Sequence, residues 1–176
     1  MNNDEVLDFS LPNNDESKPE YEIVGLYKFF LLSILSLGLY QLWWTYKAWK
    51  FFKEKESLDV SPVARAIFAI FFFHSLFEKI KTYANVYGYG ASYTSGLLVA
   101  AIFILNILSR LPDPFWMLSV ASVFCFIPPV SALNYAVQNS KEYAVVINNG
   151  LNYRQLALVI VGAIFWILII IGLMAE

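Results

Sequence analysis

Few residues in this 176-residue chain have the type and spacing for chemistry. His74 and Glu78 stand four apart and so share one face of a helix. An imidazole beside a carboxylate at membrane depth can relay a proton; a hydrogen-bonded pair near a helix end is the plainer alternative. A metal centre is excluded by number, because one histidine and one cysteine cannot supply three or four nitrogen and sulfur ligands. Ser33, Ser36, Ser119 and Ser122 have no second histidine or evident base to activate them as nucleophiles. Gly88 and Gly90 lack the preceding strand and the third glycine of a dinucleotide fingerprint. What remains is recognition chemistry. Trp43, Trp44, Lys47, Trp49, Lys50 and Lys53 form an aromatic and basic cluster suited to the lipid bilayer, to anionic lipid or to a protein partner. No enzymatic activity and no cofactor is expected. Nucleic-acid binding is not suggested either, since the lysines are few and a membrane surface accounts for them.

The elements that carry these residues are dictated by composition. Hydrophobic residues make up 59% and charged residues 15%, against roughly 45–50% and about 25% in an average soluble domain. Residues 26–55 run from an apolar stretch through Tyr40, Trp43, Trp44, Tyr46 and Trp49 into Lys47, Lys50, Lys53 and Lys55. That order is hydrocarbon, interface and water along one helix, and 23–46 is long enough to cross a core of about 30 Å. Gly38 inside it either admits a closely packed second helix or is an ordinary membrane glycine. Ser61-Pro62 is a helix start, with serine as cap and proline at the first helical position. The apolar part of the helix 62–83 is short, which suits a re-entrant or buried segment better than a span. Leu111-Pro112-Asp113-Pro114 turns a hairpin between 94–110 and 114–138, and Pro128-Pro129 kinks its second arm. A polar loop with a turn at Asn148-Asn149-Gly150 leads to the last span, 155–174. Residues 1–22 read as a disordered acidic tail, and 23–176 as a single transmembrane domain. Within it Asn106 and Ser119 lie at similar depth on facing arms, and Asn134 continues a polar stripe with Ser131 and Gln138. Helix packing explains both groups; a small hydrated cavity is the alternative for the stripe.

The stretch Ser36-Leu37-Gly38-Leu39-Tyr40-Gln41-Leu42-Trp43-Trp44 resembles the Thr/Ser-x-Gly-x-Tyr-x-x-x-Trp first helix of uncharacterised bacterial inner-membrane proteins, a domain-of-unknown-function type. The blocks from Ser61 and from Leu111 and the last apolar helix are similar to later blocks of that type, so the likeness covers about 24–175. It implies a multipass protein of the bacterial inner membrane and carries no site residues across. Where those proteins often have proline in the second block, this chain has Ile70, which puts a break there in doubt.

Charge separates the topologies, because Lys and Arg favour the cytoplasmic side. With 62–83 not crossing and the N-terminus outside, most of the 12 basic residues lie inside, with Lys18, Lys28 and Arg110 outside. With 62–83 crossing they divide evenly. With neither early helix crossing, all but Arg110 lie inside; the length of the first segment and its terminal aromatics argue against this arrangement. The expected fold is therefore an all-α multipass transmembrane bundle of four spans and one short re-entrant or interfacial helix, with five spans as the alternative. The expected function is a membrane interaction or accessory protein with a basic-aromatic cytoplasmic face. A small transport or permeation protein for an ion or small solute is the alternative, and a homo-oligomer is compatible with either.

Overall fold

The expected first span ends at Ser36-Leu37-Gly38. In the computed structural model, which describes residues 18–108, 110, 115–147 and 150–174, α1 (Leu26–Leu35) and α2 (Leu39–Glu56) are separate helices. The Gly38 N–H donates to the Ser33 carbonyl at 2.8 Å and the Leu37 N–H to the Ile34 carbonyl at 3.1 Å. This is a Schellman ending: it requires positive φ at Leu37 (49°), and Gly38 follows with φ 88° as the chain turns. The Ser36 hydroxyl then accepts from the Tyr40 N–H at 2.9 Å and starts α2. The ring of Phe29 lies 5.8 Å from both Tyr40 and Trp44, so α2 folds back along α1. The single span over 23–46 is thus corrected to a helical hairpin. Ser36, Gly38, Tyr40 and Trp44, the motif residues, are the ones that turn and pack it.

The second apolar block does the same. Ser61 caps α3 (Pro62–Ile67), accepting from the Ala64 N–H at 3.3 Å, as its sequence requires. The chain breaks at Phe68, without proline, and α4 (Ala69–Val86) leads away. Ala69 and Phe73 border the same cavity as Gly38 and Leu39. Further along, Lys79 pairs with Glu56, and the Tyr83 ring lies 5.9 Å from Phe52. α4 therefore runs beside α2 in the same direction, and α3, packed on α2, runs against both. The one short helix expected over 62–83 is two helices, and both hairpin tips sit at one level.

α5 (Ser95–Leu108) pairs with a 3-10 helix, Phe115–Phe126, which passes into α6 (Ile127–Ser140). Pro128 and Pro129 occupy the first turn of α6, where a missing N–H costs nothing; the expected mid-helix kink is a helix start. Phe126 is the hub of the core, with Phe73, Phe77, Trp44 and Phe29 at 5.1 to 6.2 Å. Two strands interrupt the helical pattern. β1 (Glu20–Ile23) pairs in parallel with β2 (Ala144–Ile147), from Glu20 against Ala144 to Ile23 against Ile147. Sequence assigned the first mostly to the acidic tail and the second to a polar loop. The rest of that tail (1–17), the Leu111–Pro114 turn and the Asn148-Asn149 turn lie outside the described residues.

α7 (Tyr153–Met174) closes the chain. Among the described residues two helical stretches, Leu118–Ser140 and Tyr153–Gly172, are long and apolar enough to cross a membrane, not four. α1 with 10 residues and α5 with 14 fall short, since a helix rises about 1.5 Å per residue against a core of about 30 Å. Both early helix pairs return to the end that holds the sheet. The described lysines and arginines gather there: Lys28 donates to the Gly150 carbonyl, Lys47 meets Glu22, Lys55 meets Glu142 and Arg65 lies over Trp49. Arg110, past the end of α5, stands apart. This is the charge distribution of the arrangement that the length of the first segment argued against.

Candidate functional site

Asn152 and Gln155 set the geometry where α7 begins. The Gln155 side chain reaches back to accept from the Asn152 N–H at 3.1 Å, the reciprocal half of a capping box. Its amide nitrogen donates to the Tyr40 hydroxyl at 3.3 Å, and Asn152 Nδ2 donates to Glu22 at 3.1 Å. Glu22 in turn holds Lys47 at 3.3 Å. This chain of polar contacts seats the start of α7 against the middle of α2 and against β1.

With α7 so placed, two concavities meet. An apolar groove of about 630 Å³ lies between α2, α3 and α7, floored by Leu39, Leu42, Ala66, Ile67, Leu158 and Val161. A polar pocket of about 370 Å³ holds Glu22, Lys47, Lys50, Asn152 and Gln155. Trp43, Tyr46, Tyr153 and Arg154 line both. The Arg154 guanidinium sits 5.5 Å over the Trp43 ring and 5.4 Å over the Tyr153 ring, and its Nε donates to the Tyr153 hydroxyl at 2.8 Å. Lys50 pairs with Glu54 at 3.6 Å with both side chains more than half exposed, a contact worth little in water. Among the described residues Arg154 has no carboxylate partner. The arrangement offers hydrocarbon surface, an aromatic collar and cations in sequence, an order complementary to an apolar chain that ends in an anionic head.

The site residues expected from sequence divide. Trp43, Lys47 and Lys50 belong to this collar. Lys53 is exposed and outside it. Trp44 and Trp49 are core residues, 4% and 0% exposed, and not interfacial. Folding α2 back on α1 turned that face inward, so Trp44 packs on Phe126 and Trp49 lies 4.1 Å beneath Arg65. His74 and Glu78 share a face and line a groove with the Lys79–Glu56 pair; among the described residues they form no hydrogen bond with each other. Asn106 and Ser119 border one cavity, and Asn106 Nδ2 donates to the Ile102 carbonyl at 2.8 Å. Asn134 donates to the Val24 carbonyl at 2.7 Å and ties α6 to the end of β1. No group of histidine, cysteine or carboxylates that could hold a metal ion occurs among the described residues.

Sequence reasoning missed Tyr46, Tyr153 and Arg154 as partners of Trp43. The signal was present: an aromatic and a cation open the last apolar helix, and Asn152-x-x-Gln155 marks its cap. At the far side of the sheet end, Lys55 and Tyr87 both bond the Glu142 carboxylate. Those bonds, Lys55 first, hold it below the usual carboxylate range. Compared with known proteins, no family model, curated protein or solved structure matches this chain.

Proposed function

We propose that this chain is a multipass integral membrane protein that binds anionic phospholipid, without catalysis, in the groove between α2, α3 and α7. The observation that carries the reading is the run of one concave surface from aliphatic floor through Trp43 and Tyr153 to Arg154, Lys47 and Lys50. The acyl chain lies along Leu42 and Val161, and the phosphate meets the arginine, which presents a planar fork of donors to it. α7 and the Leu118–Ser140 stretch are long enough to cross, α5 with its flanking residues carries the chain out to the start of that stretch, and the α1–α2 and α3–α4 hairpins enter and return. The gathering of lysine and arginine at the sheet end supports a cytoplasmic position for that end, and the bacterial inner membrane is the proposed location.

The test is fluorescence quenching in reconstituted vesicles. Brominated phosphatidylglycerol is expected to quench Trp43 more than brominated phosphatidylcholine, and Trp43→Phe is expected to remove that difference. A basic side chain near an anionic surface is worth about 1 kcal/mol, so Arg154→Ala lowers the preference about fivefold, and raised salt lowers it further. Equal quenching by the two lipids at low salt overturns the proposal. A small transport protein is the second reading, and it is favoured by the polar cavity between the hairpin tips.

A further inference from the structure

The reversals at Ser36-Leu37-Gly38 and at Phe68 meet across a cavity of about 500 Å³, bounded on its other side by α5 and the 3-10 helix. Its polar groups come from four elements: Ser33 from α1, Gln41 from α2, Asn106 from α5, and Ser119 and Ser122 from the 3-10 helix. Ser33 is 2% exposed, and its hydroxyl has no hydrogen-bond partner among the described residues. A helical serine can satisfy itself on the carbonyl one turn back; this one does not. A buried hydroxyl with no partner is costly and rare, so its position on a cavity wall marks a place where something else supplies the bond.

The chemistry of the occupant follows from the lining. Among the described residues no Lys, Arg, His, Asp or Glu borders the cavity, and an unpaired ion in such a place is prohibitively desolvated. Hydroxyl and amide groups both donate and accept, which matches a ligand that does both. The rim is apolar: Leu39 and Ile70 are each 38% exposed, and Ile67 is 70% exposed. Entry is therefore from the hydrocarbon side, between the two hairpin tips. The volume exceeds what one water needs, about 30 Å³ of liquid, and accommodates a three-carbon polyol.

We infer that this cavity binds the hydroxylated head of an uncharged amphiphile, of the monoacylglycerol class, whose chain remains in the bilayer. The inference rests on the membrane residence proposed above but not on the anionic-lipid groove, from which the cavity is separated by Leu39, Leu42 and Ile67.

Native mass spectrometry of the full chain in detergent tests it, with 1-monooleoylglycerol, free glycerol and phosphatidylglycerol as separate probes. A saturable one-to-one monooleoylglycerol adduct is expected. The double variant Ser33→Val with Gln41→Leu is expected to weaken it about tenfold, the scale of two lost hydrogen bonds, and to leave the phosphatidylglycerol adduct unchanged. No monooleoylglycerol adduct, or one that the double variant does not weaken, overturns the inference even if phosphatidylglycerol binds. Glycerol binding as tight as that of monooleoylglycerol overturns the amphiphile in favour of a free polyol. If the double variant fails to fold, Gln41→Asn decides, since it keeps the amide and shortens its reach: weakened binding supports the inference, and unchanged binding overturns it.

Discussion

α2 and α7 lie side by side and treat hydrophobic surface in opposite ways. α2 carries Lys47, Lys50, Lys53, Glu54, Lys55 and Glu56, yet it buries Ala48, Trp49 and Phe52 completely. α7 is almost unbroken Leu, Ile, Val, Ala and Gly, and only 11% of its apolar window is buried within the protein. The more hydrophobic helix is the more exposed one. Burial against protein rewards shape: α2 packs the aromatics Trp44, Trp49, Phe51 and Phe52, with Ala48 among them, against its neighbouring elements. Exposure of α7 needs no complementary shape, only hydrocarbon around it, and an apolar surface that continuous is unusual for a protein in water. The junction between the two helices, where Arg154 meets Trp43, is where the two kinds of surface change over.

Trp49→Ala in α2 removes a fully buried indole and its stacking with Arg65, and a loss of about 3–5 kcal/mol is expected. Phe165→Ala on α7, where the ring is 51% exposed, is expected to change stability by less than about 0.5 kcal/mol. Unfolding of both variants in the same detergent measures this. Equal losses would mean that the outer face of α7 packs on protein and that the contrast fails.

A smaller effect sharpens how α7 is held. A Cβ at Gly162 would fall 1.9 Å from the Leu35 carbonyl oxygen, whereas nothing lies within 4 Å of one at Gly172. Gly162→Ala must push α7 off the α1–α2 hairpin and strain the Trp166 Nε1 bond to the Ile34 carbonyl, now 3.2 Å. A cost of about 1–3 kcal/mol is expected from the forced shift, and close to none for Gly172→Ala. Thermal midpoints of the pair, with a crosslink between cysteines placed at Ile34 and Trp166, separate detachment from general destabilisation.

The smallest effect concerns the charged end of α2. The Glu142 carboxyl is depressed by its bonds to Lys55 and Tyr87. Its contribution is present above the unfolded carboxylate value of about 4.3 and is lost as pH falls through the lower folded value. Stability is therefore expected to decline on acidification below that range, and Glu142→Gln is expected to flatten this limb. The partners are partly exposed, so solvent screens the pair. Deleting any apolar residue of α7 is expected to leave the acid limb as it is.

Much of the architecture was legible residue by residue. Ser61-Pro62 starts a helix because its cap and fixed φ act locally, and Pro128-Pro129 marks one for the same reason, although as a helix start and not as a kink. The closing helix is plain from composition. Trp43, Lys47 and Lys50 were placed in a basic-aromatic cluster and line the candidate site. The reversal at Leu37-Gly38 was not legible, because an apolar run long enough to cross reads the same whether or not one leucine adopts positive φ. Trp44 and Trp49 were misplaced as a direct consequence. Gly38 drew attention as a point of close helix contact, but its Cβ position is open, and Gly162 makes that contact.

By itself the amino-acid sequence determined the helical class, the capped start at Ser61-Pro62, the segregation of charge and the apolar closing helix. Each of these depends on a residue and its near neighbours. Only the tertiary structure decided which face of α2 is buried, that both early hairpins return to the sheet end, and that Arg154 lies over Trp43. These are settled by contacts between residues far apart in the chain, where packing of Phe29, Trp44 and Phe126 outweighs the tendency of an apolar segment to run straight.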